Sequence, residues 1–115
     1  VPGLADCLPE SVAEVDARGI PYFLVGHVGD GHFHVGYLID PNDPDERKRA
    51  EALNHALVMR AIALEGTCSG EHGIGLHKMD FLVTEAGAGA VDMMRTIKRA
   101  LDPKNIMNPG KIFAA

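Results

Sequence analysis

The chain has 115 residues, 46% of them hydrophobic, enough for one small domain with a real core. Its formal net charge of -5, with no block of lysines and arginines, argues against a nucleic-acid surface. No apolar run is long enough to span a bilayer, the opening residues lack a signal-peptide pattern, and Cys7 and Cys68 have neither CxxC nor zinc-finger spacing, so both read as reduced thiols of a cytoplasmic protein.

The chain opens on Val1-Pro2-Gly3 rather than on Met, and it is expected to be a piece of a larger protein. Pro9 to Arg18 is expected as a helix, with Pro9 in its first turn, Leu8, Val12 and Val15 on one face and Gly19 as its stop. Ile20 to Val28 is expected as a strand, apolar on both faces and therefore central in its sheet. The stretch Gly26-His27-Val28-Gly29-Asp30-Gly31-His32-Phe33-His34 follows, with three of the six histidines. Asp30-Gly31 favours a two-residue type I′ turn, in which both central residues need φ > 0. Counting from that turn places Gly29 opposite His32, Val28 opposite Phe33 and His27 opposite His34. Directly paired residues point to the same side with Cβ atoms roughly 5 Å apart. Two imidazoles that close can share one metal ion. The second strand is Phe33 to Ile39, with Phe33, Val35, Tyr37 and Ile39 on one face and His34, Gly36 and Leu38 on the other.

Asp43 reads as a helix cap, Pro44 as the first helical residue and Glu46 as the closing member of a capping box. That helix runs to about Leu64 on a stripe of Ala50, Leu53, Leu57, Ala61 and Leu64, with His55 off the stripe and at the surface. Glu46 to Arg49 is a solvated first turn. A second glycine-rich stretch spans Gly66 to Gly75. Lys78 to about Thr84 is a short helix, and Val91, Met94, Ile97 and Leu101 mark a last amphipathic one, stopped by Asp102-Pro103, with Met93 and Met94 as core filler. The order implies an α+β fold: helices on one face of an antiparallel sheet, plus a C-terminal helical tail. The other sheet face is then covered by something else or holds a ligand.

Glu65-Gly66-Thr67-Cys68-Ser69-Gly70-Glu71-His72-Gly73-Ile74-Gly75 contains the chain's single adjacent carboxylate–imidazole pair, Glu71-His72. In a bent loop, neighbouring side chains are expected to diverge and so to do different work. His27, His34 and Glu71 would make a two-histidine, one-carboxylate set suited to Zn, Mn or Fe with open positions for a substrate. His72 would stand beside it, able to take a proton. Three rivals fit less well. Ser69, His72 and Asp30 lack a nucleophile elbow, Cys68 is a lone thiol, and Gly70 to Gly75 has no Gly-Lys-Ser/Thr ending to cradle a phosphate.

The His27–His34 motif, the Gly66–Gly75 motif and Asn108-Pro109-Gly110-Lys111 occur in this order across most of the chain. Together they resemble the C-terminal region of FAD-linked 2-hydroxy-acid oxidoreductases, flavoproteins of the vanillyl-alcohol-oxidase-like superfamily. Cytochrome-linked D-lactate dehydrogenases resemble it most, then glycolate oxidase subunits and D-2-hydroxyglutarate dehydrogenase. The resemblance implies that residues 1–115 are a C-terminal FAD-linked oxidase domain, part of a ferredoxin-like cap. It implies His27, His34 and Glu71 as ligands of a divalent metal and His72 as catalytic base. It places Asn108 in the tail segment that approaches the flavin. FAD would be bound mainly by an upstream domain, and arginines that hold the substrate carboxylate would also lie upstream. The implied reaction is oxidation of a D-2-hydroxy acid, D-lactate or glycolate, to the 2-oxo acid. The electron acceptor would be a cytochrome or a quinone, and the location cytoplasmic or peripheral at a membrane. Pairing with a second copy is one way to cover the incomplete sheet. The chain departs from the family at His32, where Asn is usual. It also departs at Gly36, where the 2-hydroxyglutarate enzymes carry a substrate-contacting Asn, which favours a smaller acid. A different reading of the same motifs is a non-catalytic metal-binding module, or a structural subunit of a multichain oxidoreductase.

Overall fold

The first helix, α1 (Pro2–Arg18), starts seven residues earlier than the sequence pattern implies and carries Pro9 inside it. Pro9 removes the N–H that would have bonded the Ala5 carbonyl, and Ala5 is exposed, so water can serve that carbonyl instead. Two residues on, the Ser11 hydroxyl donates to the Cys7 carbonyl at 2.7 Å. Gly19 ends the helix at φ 65, the left-handed conformation that suits glycine there. The structure, a computed structural model, describes residues 2–113. They divide into two compact units, one ending at Gly66 and one beginning at Thr67.

In the first unit, β1 (Tyr22–His27) pairs antiparallel with β2 (His32–Tyr37), and α2 (Pro44–Ala63) follows. Asp43 caps α2 as expected, accepting from the Asp45 and Glu46 N–H groups at 2.8 and 3.1 Å. Glu46 does not close the box on Asp43. It reaches back to the Asp40 N–H at 2.8 Å, because the Asp43 N–H is already given to the Asp40 carbonyl. Val15, Ile20, Ala50 and Leu53 form the core, and Tyr22, Tyr37 and Ile39 pack against it. The helices therefore lie on the sheet face of Tyr22 and Tyr37. Arg60 on α2 ties back to α1, donating to the Ser11 hydroxyl at 2.8 Å and to Glu14 at 2.9 Å.

The opposite sheet face carries Phe23, Val25 and His27 from β1 and His32, His34 and Gly36 from β2, as strand alternation requires. Among the described residues β1 pairs only with β2, so it is an edge strand rather than a central one. Its double-sided apolarity reflects exposed side chains: Phe23 is 51% and Val25 54% exposed. The Phe23 ring lies over its cross-strand partner Gly36, in space that any side chain at Gly36 would need.

The second unit holds α3 (Met79–Ala86) and α4 (Ala88–Leu101), hinged at Gly87 with φ 82. Leu82 of α3 and Val91 of α4 are buried. Met93, at 68% exposed, is not core filler, and Met94 is exposed too. Only one position of the expected α4 stripe, Val91, finds cover among the described residues. The architecture is α+β, with the helices of the first unit on one face of an antiparallel pair. No described helix is long and apolar enough to cross a membrane.

Candidate active site

The turn between the strands decides the register of the histidines. Val28–Asp30 forms a single 3-10 turn and Gly31 follows at φ 70, its N–H bonded to the Val28 carbonyl at 3.1 Å. Asp30 is not among the residues with positive φ, so the two-residue type I′ turn does not form. A four-residue connection replaces it. His27 consequently pairs with His32, Gly26 with Phe33 and Val25 with His34. The expected pairing of His27 with His34 is wrong by two residues. An even slip preserves the faces, since side chains alternate with a period of two. His27, His32 and His34 thus all project from the sheet face turned away from the helices. Their rings are close: 5.8 Å between centroids for His27 and His32, and 4.4 Å, edge to face, for His32 and His34. A ring nitrogen of His27 and one of His32 lie within 4.8 Å of each other. Gly26 permits this approach, because a Cβ there would sit 2.5 Å from the His32 carbonyl oxygen.

In the second unit the glycine-rich loop is built by local bonds. The Ser69 N–H donates to the Thr67 hydroxyl at 3.3 Å, and the His72 N–H to the Ser69 carbonyl at 3.2 Å. Lys78 Nζ donates to the same carbonyl at 3.2 Å. Gly70, Gly73 and Gly75 take φ of 49, 74 and 55, which explains the glycine spacing. Within this turn Glu71 and His72 do not diverge. Glu71 Oε1 lies 3.6 Å from His72 Nε2, so an imidazolium formed there has a carboxylate partner. Both side chains are exposed.

Glu85, which sequence reasoning did not single out, anchors the start of the loop. It accepts the Cys68 N–H at 2.7 Å. Burial pushes the Glu85 carboxyl up, but hydrogen bonds from the Cys68 backbone, the Cys68 thiol and the Thr67 hydroxyl outweigh it and hold it below its ordinary value. Burial, and then Glu85, push the Cys68 thiol up from 9.0 to about 11. A buried thiol held protonated is a poor nucleophile, which removes the Cys68 alternative. Both cysteines are buried and unbridged.

The tail after α4 is organised by Asp102. Its carboxylate accepts from Lys98 Nζ and from the N–H groups of Ile106 and Met107 at 3.0 and 2.9 Å. Asn108 follows at φ 46. Ile112 takes φ 69 and donates its N–H to the Gly75 carbonyl at 2.8 Å, tying the tail to the glycine-rich loop.

Residues 1–112 match the family described as FAD linked oxidases, C-terminal domain. The chain belongs to this family. The cytochrome-type mitochondrial D-lactate dehydrogenase of Arabidopsis thaliana is 44% identical over 110 residues, which are 96% of this chain and 19% of that protein. The corresponding Kluyveromyces lactis protein is 47% identical over 109 residues, 95% of this chain and 18% of its own length. Glycolate oxidase subunit GlcD of Bacillus subtilis is 42% identical over 89 residues, 77% of this chain and 19% of its own. The chain thus spans about a fifth of the length of such relatives. The hairpin histidines and the Glu71-His72 turn both lie within the residues that match the family.

Proposed function

We propose that this chain is the substrate- and metal-site portion of a flavin-dependent dehydrogenase that oxidises a D-2-hydroxy acid, D-lactate or glycolate, to the 2-oxo acid. The observation that carries the reading is the shared sheet face of His27, His32 and His34, in a chain of this family. Imidazoles with ring nitrogens as close as those of His27 and His32 fit a divalent ion such as Zn, Mn or Fe. His27, His34 and Glu71 would hold the ion, and Asn108 would approach FAD. When bound, the ion would supply positive charge near the substrate oxygens and FAD would supply a hydride acceptor. His72 takes the proton of the substrate hydroxyl onto its imidazole, with the Glu71 carboxylate 3.6 Å from Nε2. Phe23, lying over Gly36 on the histidine face, makes the neighbouring surface apolar, which suits a short acid better than a second carboxylate.

The two strands belong, in this reading, to a larger ferredoxin-like sheet of a domain that includes residues 1–115. The name of the D-lactate dehydrogenase relatives points to a cytochrome as electron acceptor. A cytoplasmic or peripheral-membrane location is part of the same proposal. The test is metal analysis beside steady-state kinetics in the flavin-loaded protein expressed from its whole reading frame. His72→Ala should lower turnover roughly 10²–10⁴-fold with metal content kept. His27→Ala and Glu71→Ala should lose both metal and turnover. Equal metal loss in His72→Ala and His27→Ala would make His72 a ligand, and no turnover of either acid by the unaltered protein would end the proposal.

A further inference from the structure

The hairpin presents three imidazoles where the ligand set above uses two. His32, not His34, is the residue directly across from His27, and it is two residues from His34 along the same strand. It is therefore the middle ring of the three, 5.8 Å from one neighbour and 4.4 Å from the other. Two imidazole nitrogens that share one ion at about 2.1 Å are roughly 3.0–3.4 Å apart. His27 and His32 have nitrogens within 4.8 Å, so small side-chain rotations bring them to that spacing. His34 sits opposite Val25, and an ion shared by His27 and His34 would be flanked by His32 on the same face.

We infer that His32 is itself a metal ligand, sharing an ion with His27 directly across the hairpin. The inference rests on the metal reading above and adds a residue to it. A purely structural role for His32 would be its edge-to-face packing on His34, and that role can be separated experimentally. His32→Phe keeps an aromatic ring for the packing and removes the nitrogens. His32→Cys replaces imidazole with a thiolate, another good ligand.

The probe is Co²⁺ alone, titrated into the purified, chelator-stripped protein expressed from its whole reading frame and followed as a difference spectrum in the visible, with far-UV circular dichroism as the check on folding. His32→Phe should raise the Kd by roughly 100-fold, the scale of one lost ligand among several. His32→Asn should do the same and serves if the phenylalanine variant does not fold. His32→Cys should keep binding and add a sulfur-to-cobalt charge-transfer band, which a packing role cannot produce. His55→Asn, on the exposed side of α2, should leave the titration unchanged. Unaltered Co²⁺ affinity in His32→Phe, or a Co²⁺-loaded His32→Cys without the band, overturns the inference and leaves the other ligands standing. No Co²⁺ uptake by the unaltered whole protein overturns it together with the metal reading.

Discussion

Glu85→Ala asks how firmly the loop bearing Glu71 and His72 is held. The bond at stake runs from the Cys68 N–H to the carboxylate at 2.7 Å. Hydrogen bonds to charged groups contribute about 1.5–3 kcal/mol. Glu85 is on the exposed side of α3, so water competes and the low end, about 1.5 kcal/mol, applies. That is about a tenfold rise in the local opening equilibrium. Amide hydrogen exchange at Cys68 reads it directly, and the Val91 amide in α4 serves as reference. The thiol gives a second reading. With its value raised from 9.0 to about 11, its thiolate population near pH 8 is about 100-fold below that of an ordinary thiol. Alkylation of Cys68 in the native chain should therefore be slow compared with the urea-unfolded chain, and faster in Glu85→Ala. Cys68 exchange that Glu85→Ala leaves unchanged would refute this account of the loop, as would a native thiol that reacts as fast as the unfolded one.

The Tyr37 hydroxyl is buried with no hydrogen-bond partner among the described residues, so Tyr37→Phe should be neutral or stabilising by about 1 kcal/mol in urea denaturation. Gly26→Ala should destabilise the hairpin by about 1–3 kcal/mol, because the new Cβ meets the His32 backbone, and should weaken Co²⁺ binding with it. The Asp102 carboxyl is held below its ordinary 3.8 by Lys98 first and then by the Met107 and Ile106 N–H groups. A depressed carboxyl stabilises the fold above its unfolded value and ceases to do so as pH falls through the folded one. Amide protection at Ile106 and Met107 should thus be full above pH 3.8 and be lost as pH falls further, through the lower folded value, and Asp102→Asn should remove that pH dependence.

The cap at Asp43, the stripe of α2 up to Ala61, the strand faces and the presence of two helices in the second unit were legible because each depends on neighbours in sequence. The hairpin register was not. Asp30-Gly31 is a strong signal for a type I′ turn, but it competes with a 3-10 turn that needs only one residue at positive φ, here Gly31. The faces survived because the slip was even. Pro9 was read as a helix start since proline usually sits there, and nothing local showed that Pro2 starts the helix instead. The divergence expected of Glu71 and His72 failed because the turn from Ser69 to His72 brings both side chains to one side. Glu85 had no signature at all, since its partner Cys68 is distant in sequence and the bond is to backbone.

Ile112 is β-branched and stands at φ 69, a conformation costing about 1–3 kcal/mol that persists only when its surroundings impose it. What imposes it is the grip of its N–H on the Gly75 carbonyl, which turns the intervening chain, with both helices of the second unit, into a closed hoop. Asn108 lies near one end of that hoop and His72 near the other. The clasp is under tension: letting Ile112 relax to an ordinary backbone angle frees the Gly75 carbonyl and slackens the turn that follows His72. Displacing the tail at Ile112 breaks this one fastening and frees the Gly75 carbonyl, three residues after His72.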